Sequence, residues 1–410
     1  MKALWKGGGA YGLANASIAG SQFAVILVFA AALPPADFGQ VSIFAVLTVV
    51  LSMVIGMGLA AAVQRSFFEL QQDDYQRFIG GVVRMIAGVA LVLVGVVALA
   101  PGSAIELLSL PRGWVFFALI AATAQAIAQL VLVVLQTREQ ISMYLRMASL
   151  QVLTAIVVAL AFHASQSEAW QDALVAQAVA PVVTAVVGLV LLASRGDLRG
   201  GARYHALGAA LKYALPLVPH QVAGWVMSMV DRFIIASTLG LAPAGVYSLS
   251  FQIAQATNII SNSFNQALVP IVFRQLAATE RQPNRLWRLN RSYALGLLAF
   301  STIFMLGFTF VAPYMLSPDY QQASELTPWL ILAFFLLAAS RIASNFLLYF
   351  GRTGLLAAST LLAALASLIL NFILVPRFGV VGACWTSAAT FLLLLVVTSW
   401  SARRCYLRQS

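Results

Sequence analysis

The chain is 410 residues long, 61% hydrophobic and only 9% charged, with a formal net charge of +11. A mean hydropathy of +0.91 excludes a soluble globular domain and points to an integral membrane protein. Its apolar runs are continuous and lack the two-residue alternation of barrel strands, so the spanning elements are expected to be helices.

Crossing a hydrocarbon core of about 30 Å takes about 20 apolar residues at about 1.5 Å each. In chain order, runs of that length between polar, Gly or Pro punctuation predict twelve spans: 10–32, 40–63, 80–100, 114–136, 146–164, 171–193, 212–238, 245–270, 291–314, 325–349, 354–374 and 380–402. Asn15, Ser17, Ser21 and Gln22 interrupt the first run, so Ala30, Ala31 and Ala32 read as the end of a retained span and not as a signal cleavage site. Basic residues gather in alternate connections: Arg65, Arg77 and Arg84, then Arg138 and Arg146, then Arg195, Arg199 and Arg203, then Arg274 to Arg291, then Arg352. The intervening connections hold only Arg112 and Arg377, beside acids such as Glu106, Asp172 and Asp319. That alternation is the positive-inside pattern. The positive balance therefore reports orientation and gives no reason to expect a nucleic-acid partner; the even span count puts both basic termini in the cytoplasm.

The fold class expected is an all-α membrane protein of about twelve transmembrane helices in two six-helix lobes around a V-shaped central cavity. Residues 1–196 form the first lobe, 197–210 a cytoplasmic linker rich in Gly and Arg, and 211–410 the second lobe. A faint repeat supports the division: Tyr11, Gly12, Leu13 answers to Tyr213, Ala214, Leu215, and the run from Leu33 answers to the run from Leu239. Parallel halves with substrate bound between them are a recurring transporter plan.

Polar residues inside the spans are the candidates for function, because an ionisable group there costs about 2.5–3.5 kcal/mol on insertion scales. Span 4 carries Gln125, Gln129 and Gln136, and span 1 carries Tyr11, Asn15 and Gln22, each set on a narrow stripe. On span 7, His220, Gly224, Met227, Ser228 and Asp231 share one helical face, and Arg232 follows. Pro216 and Pro219 interrupt the cytoplasmic end of that span, which suits a bend or gate as well as an ordinary kink. Span 8 carries Gln252, Gln255, Asn258, Asn262 and Asn265 within about 140° of arc at about 100° per residue. These amides suit either a hydrogen-bonding wall for a sugar or glue between helices. Arg341, with Ser340, Ser344 and Asn345, lies deep in span 10, as a cavity cation or as a snorkelling side chain. Arg232, with Arg341, reads as a group that attracts pyrophosphate, and Asp231 as its fixing partner or a coupling site; the pair lies toward the outer end of its span, as an anchor or gate of the cavity or as a structural salt bridge. Arginine suits phosphate through its paired donors, and amides suit hydroxyl-rich glycans. Together they point to a glycan on a pyrophosphate lipid.

Neither a nucleotide-binding loop nor a hydrolase or metalloprotease motif is present, and Cys384 and Cys405 match no metal or disulfide spacing, so no enzyme, cofactor or metal is expected.

The stretch from Leu215 to Ala254, with Leu215, Pro216 and Pro219, Asp231 and Arg232, and Gly245, Val246, Tyr247 and Ser248, resembles the polysaccharide transporter branch of the multidrug/oligosaccharidyl-lipid/polysaccharide exporter superfamily. The stretch from Asn371 to Thr390, with Asn371, Pro376, Gly379 and Gly382, is similar to that family's turn between spans 11 and 12. The resemblance implies a Wzx-like flippase of the bacterial inner membrane. Such a protein moves undecaprenyl-pyrophosphate-linked oligosaccharide to the periplasmic leaflet for O-antigen or exopolysaccharide synthesis. Coupling to H+ or Na+ and work beside other polysaccharide assembly proteins are further implications. The lipid II flippases of the superfamily usually carry two more spans at the C-terminus, which this sequence lacks. A drug antiporter of the same fold would want an acidic cavity, and the only acid well inside a span, Asp231, stands beside Arg232. A membrane glycan polymerase or ligase would want sizeable outer loops, and these are short.

Overall fold

The computed structural model describes residues 2–103, 109–166, 169–198, 208, 211–212, 214, 218–277 and 283–407, and among them the regular secondary structure is helical throughout. Twelve helices follow in order: α1 (Lys2–Ala32), α2 (Pro35–Gly56), α3 (Leu59–Glu69), α4 (Gln72–Leu99), α5 (Arg112–Thr137), α6 (Ile141–Ala164), α7 (Trp170–Ser194), α8 (Val218–Leu239), α9 (Leu241–Ala277), α10 (Pro283–Met315), α11 (Ala323–Tyr349) and α12 (Thr353–Leu407). Each of the twelve predicted spans lies wholly or largely on one of these helices. The match is not one to one, for two reasons. Predicted span 2 runs past the end of α2, where Met57 (φ 42°) and Gly58 (φ 67°) break the run and start α3, a separate amphipathic turn of chain. Predicted spans 11 and 12 both fall within α12, which bends sharply at Gly379 (φ 64°, ψ −148°), a left-handed φ that glycine adopts at no steric cost.

Helix ends follow local chemistry. Pro34 and Pro35 end α1 and start α2, where the missing N–H of Pro35 falls among groups that have no intrahelical partner anyway. Pro111 sets the start of α5 in the same way. At 37 and 33 residues, α9 and α10 are longer than the roughly 20 needed to cross a hydrocarbon core, so they continue beyond the predicted spans 245–270 and 291–314.

The contacts divide the chain into two compact units, Met1–Val222 and Ala223–Ser410. In the first, α5 is the central helix: Leu119, Ala122, Leu130, Val131, Val134 and Leu135 are all buried. Gly188 of α7 leaves room for the Val131 side chain of α5; a Cβ there would sit 2.6 Å from Cγ2 of Val131. Outward faces are apolar, as on α4 with Leu91, Val92 and Leu99 and on α10 with Ile303, Leu306 and Phe310. Exposed apolar faces on helices of this length are what a multi-pass membrane protein presents to acyl chains.

In the second unit the turn in α12 is tight. A Cβ on Gly382 would fall inside van der Waals distance of the Leu374 carbonyl oxygen and carbon, which are main-chain atoms that cannot swing away. Gly382→Ala is therefore expected to destabilise by about 1–3 kcal/mol, the usual cost of overpacking. Thermal unfolding in detergent reads this directly; an unchanged midpoint would contradict the close approach.

Candidate functional site

Asp231 and Arg232 lie on α8, 2% and 4% exposed. Side chains one residue apart on a helix do not normally face each other. Here the arginine folds back, donating from Nη1 to Asp231 Oδ1 at 3.2 Å and to the Ser228 carbonyl at 2.9 Å. The second carboxylate oxygen accepts from the Tyr247 hydroxyl of α9, which also meets Ser387 Oγ of α12 at 3.3 Å. The flat guanidinium lies 4.1 Å from the centroid of Phe251, and Phe251 packs edge-on to Phe334 of α11. Four helices thus converge on one neutralised ion pair. Such a cluster is a rigid post, with little of Arg232 left to meet a ligand.

Arg341 differs. It projects from α11 toward α9, where Nη2 donates to Asn258 Oδ1 at 2.6 Å, while its buried Nη1 has no hydrogen-bond partner. Arg341 forms no ion pair with an acid among the described residues. The Tyr293 phenol of α10 lies within electrostatic reach of Arg341 and donates to the Ser261 carbonyl of α9 at 3.2 Å. One uncompensated guanidinium and an amide therefore meet between α9 and α11, with the phenol of α10 in the same neighbourhood. That set can receive an anion bearing hydroxyl-rich groups.

The amides of α9 separate by role. Asn265 Oδ1 accepts from Asn345 Nδ2 of α11 at 2.9 Å, both residues buried, which makes this pair interhelical glue. Gln252, Gln255 and Asn258 are half-buried and Asn262 is exposed. In the first unit Gln125 is half-buried and Gln129 exposed on α5, and Asn15 of α1 is taken up by the Tyr144 hydroxyl at 2.8 Å. Pro219 and His220 lie in the first turn of α8, and Pro216 lies outside the described residues.

Sequence reasoning missed Tyr247 as the hydroxyl that donates to Asp231, and Phe251 beneath Arg232. The signal for Tyr247 was its place in the Gly245–Ser248 stretch, sixteen residues after an acid. It also missed the bidentate Arg138–Asp197 pair, at 2.6 and 2.7 Å, in the first unit. Burial disfavours the Arg138 charge, but the hydrogen bonds and charge of Asp197 outweigh it and hold the guanidinium above the ordinary arginine range.

Among solved structures, the chain is similar to a lipid II flippase MurJ in its inward closed conformation, with a TM-score of 0.75, 12% identity, and coverage of 97% of this chain and 88% of that one. An inward-facing MATE family multidrug resistance transporter of the MOP superfamily gives a TM-score of 0.69 at 14% identity, covering 96% and 94%. A MOP superfamily transporter from Pyrococcus furiosus, described as having a binding pocket of reversed polarity, gives 0.57 at 14%, covering 98% and 96%. These likenesses carry the fold alone, that of a multi-pass helical membrane protein. The family described as polysaccharide biosynthesis protein matches residues 4–276, about two-thirds of the sequence, and the chain belongs to that family. No curated protein matches the chain.

Proposed function

We propose that the protein is an alternating-access flippase that carries undecaprenyl-pyrophosphate-linked oligosaccharide from the cytoplasmic to the periplasmic leaflet of a bacterial inner membrane. The product would feed surface polysaccharide assembly, O-antigen or exopolysaccharide. The observation that carries this reading is Arg341: a guanidinium inside a span with one buried donor nitrogen unpartnered and, among the described residues, no acid to neutralise it. An anionic headgroup satisfies it, and the neighbouring amides and phenol suit sugar hydroxyls. Membership of a polysaccharide biosynthesis family supports the glycan class.

In this reading residues 1–196 and 211–410 are the two moving lobes, both termini are cytoplasmic, and the Asp231 cluster is a fixed point of the second lobe near its outer gate. His220, Pro216 and Pro219 would take part in gating or coupling, and Gln252, Gln255 and Asn262, like Gln125 and Gln129, would contact the glycan. A proton or sodium gradient would drive the cycle. Export of cationic drugs fits less well, because the two buried acids among the described residues, Asp231 and Asp197, are both ion-paired.

The test is direct. Purified protein in liposomes should expose a labelled undecaprenyl-pyrophosphate oligosaccharide to an external glycosidase, and empty liposomes should not. Equal exposure in both, or export of cationic dyes with no movement of the lipid, would overturn the proposal.

A further inference from the structure

Away from these groups, the first unit holds a cavity of about 570 Å³ lined by Phe67, Leu70, Gln72, Tyr75, Gln76, Arg138, Gln140 and Arg195. It is built where α3, the start of α4, the α5–α6 turn and the end of α7 come together, all in connections that the arginine distribution assigns to the cytoplasmic surface. The two arginines are not equivalent. Arg138 is spent on Asp197, both of whose carboxylate oxygens it holds. Arg195 has no acid partner among the described residues; one nitrogen, Nη1, is anchored on Gln140 Oε1, and the Gln76 amide steadies its backbone carbonyl at 3.5 Å. The cavity therefore carries one net positive charge on a guanidinium that is oriented but not neutralised. Its wall also holds the Tyr75 hydroxyl, buried and without a hydrogen-bond partner.

One edge of the cavity is apolar. Phe67 and Leu70 line it, and the adjacent Phe68 on α3 is 82% exposed. An exposed aromatic on a short amphipathic helix beside a cationic pocket suits the level of a bilayer where phosphate gives way to acyl chain. We propose that this cavity binds a phosphate group, presented by the headgroup of an anionic phospholipid, with Arg195 as the contact that recognises it and α3 as the strip that meets the lipid's glycerol and chains. Inorganic phosphate from the cytosol has the same recognising chemistry, and the experiment separates the two sources. The inference does not rest on the flippase reading, because the cavity draws on none of the residues used there.

The full-length protein is placed in nanodiscs of phosphatidylcholine alone or with phosphatidylglycerol, and retained lipids are counted by native mass spectrometry with thermal unfolding in parallel. The wild type should retain phosphatidylglycerol and unfold at a higher temperature with it. Arg195→Gln should weaken that binding by at least about tenfold, the loss expected when a charge-assisted contact is removed. Gln140→Glu, which neutralises Arg195 in place without removing it, should do the same while keeping the fold. Arg77→Gln, an exposed charge outside the cavity, should change nothing. If inorganic phosphate stabilises the wild type but not Arg195→Gln in phosphatidylcholine alone, the anion comes from solution and the phosphate site stands with that source. Equal retention of the two lipids with no phosphate effect, or undiminished binding in both Arg195→Gln and Gln140→Glu, overturns it.

Discussion

Flipping of a labelled lipid-linked oligosaccharide is expected to fall about ten- to 150-fold in Arg341→Ala. A hydrogen bond to a charged group contributes about 1.5–3 kcal/mol, and about 1.4 kcal/mol is a factor of ten. Arg341 makes one such bond internally, to Asn258, and has a further nitrogen without a partner. Stability should move the other way. A half-buried guanidinium with no acid among the described residues is a desolvation cost with little repayment, so Arg341→Met, which preserves volume, is expected to unfold at the same or a higher temperature. Lower transport combined with unchanged or higher stability is the signature of a ligand-binding charge. Arg341→Lys should fall between, since it keeps the charge but loses the planar fork. Asn258→Ala should show a smaller transport defect, because it releases the arginine without removing it. Wild-type transport in Arg341→Met would end the assignment.

The Asp231 cluster is expected to behave in the opposite sense. Asp231→Ala leaves Arg232 buried and uncompensated and should cost about 3–5 kcal/mol, with Arg232→Ala costing a similar amount through the orphaned carboxylate. Asp231→Leu combined with Arg232→Met should recover much of that stability, because replacing a buried pair by apolar groups of similar size is often neutral. A double-mutant cycle on thermal unfolding reads the coupling. Additive losses would show that the two side chains are not a unit. The double variant also separates a post from a coupling site: a structural post allows flipping once the fold is restored, whereas loss of transport in a stable double variant assigns ion coupling to the carboxylate. Tyr247→Phe should destabilise modestly, by about 1–3 kcal/mol, since it leaves one carboxylate oxygen without its donor.

Several features were legible before any coordinates. Apolar run length located the membrane helices because a spanning helix has to satisfy every backbone group itself and present apolar side chains over a set thickness. The anomalies at Asp231, Arg232 and Arg341 were visible for the same reason, as charges placed where charge is expensive. What periodicity could not do was rank them. Span depth set Asp231 and Arg232 nearer the outer end than Arg341, but Arg232 still read as a group that meets the ligand, and the five α9 amides looked alike. Helical phase puts a side chain on a face without saying what stands opposite. Asn265 meets Asn345 and Asn258 meets Arg341, although both come from the same stripe on α9.

The sequence by itself determined that this is a helical membrane protein and which residues are costly enough to need an explanation. These are properties of single segments measured against a hydrocarbon slab. Tertiary structure alone decided which charges are spent and which are free. The side chains that neutralise or spare a charge come from elsewhere in the chain: Tyr247 lies 16 residues from Asp231, and Asn258 lies 83 residues from Arg341. Inside a membrane, a nearby partner decides whether a charge is a structural post or a binding group, because no solvent is present to neutralise it instead.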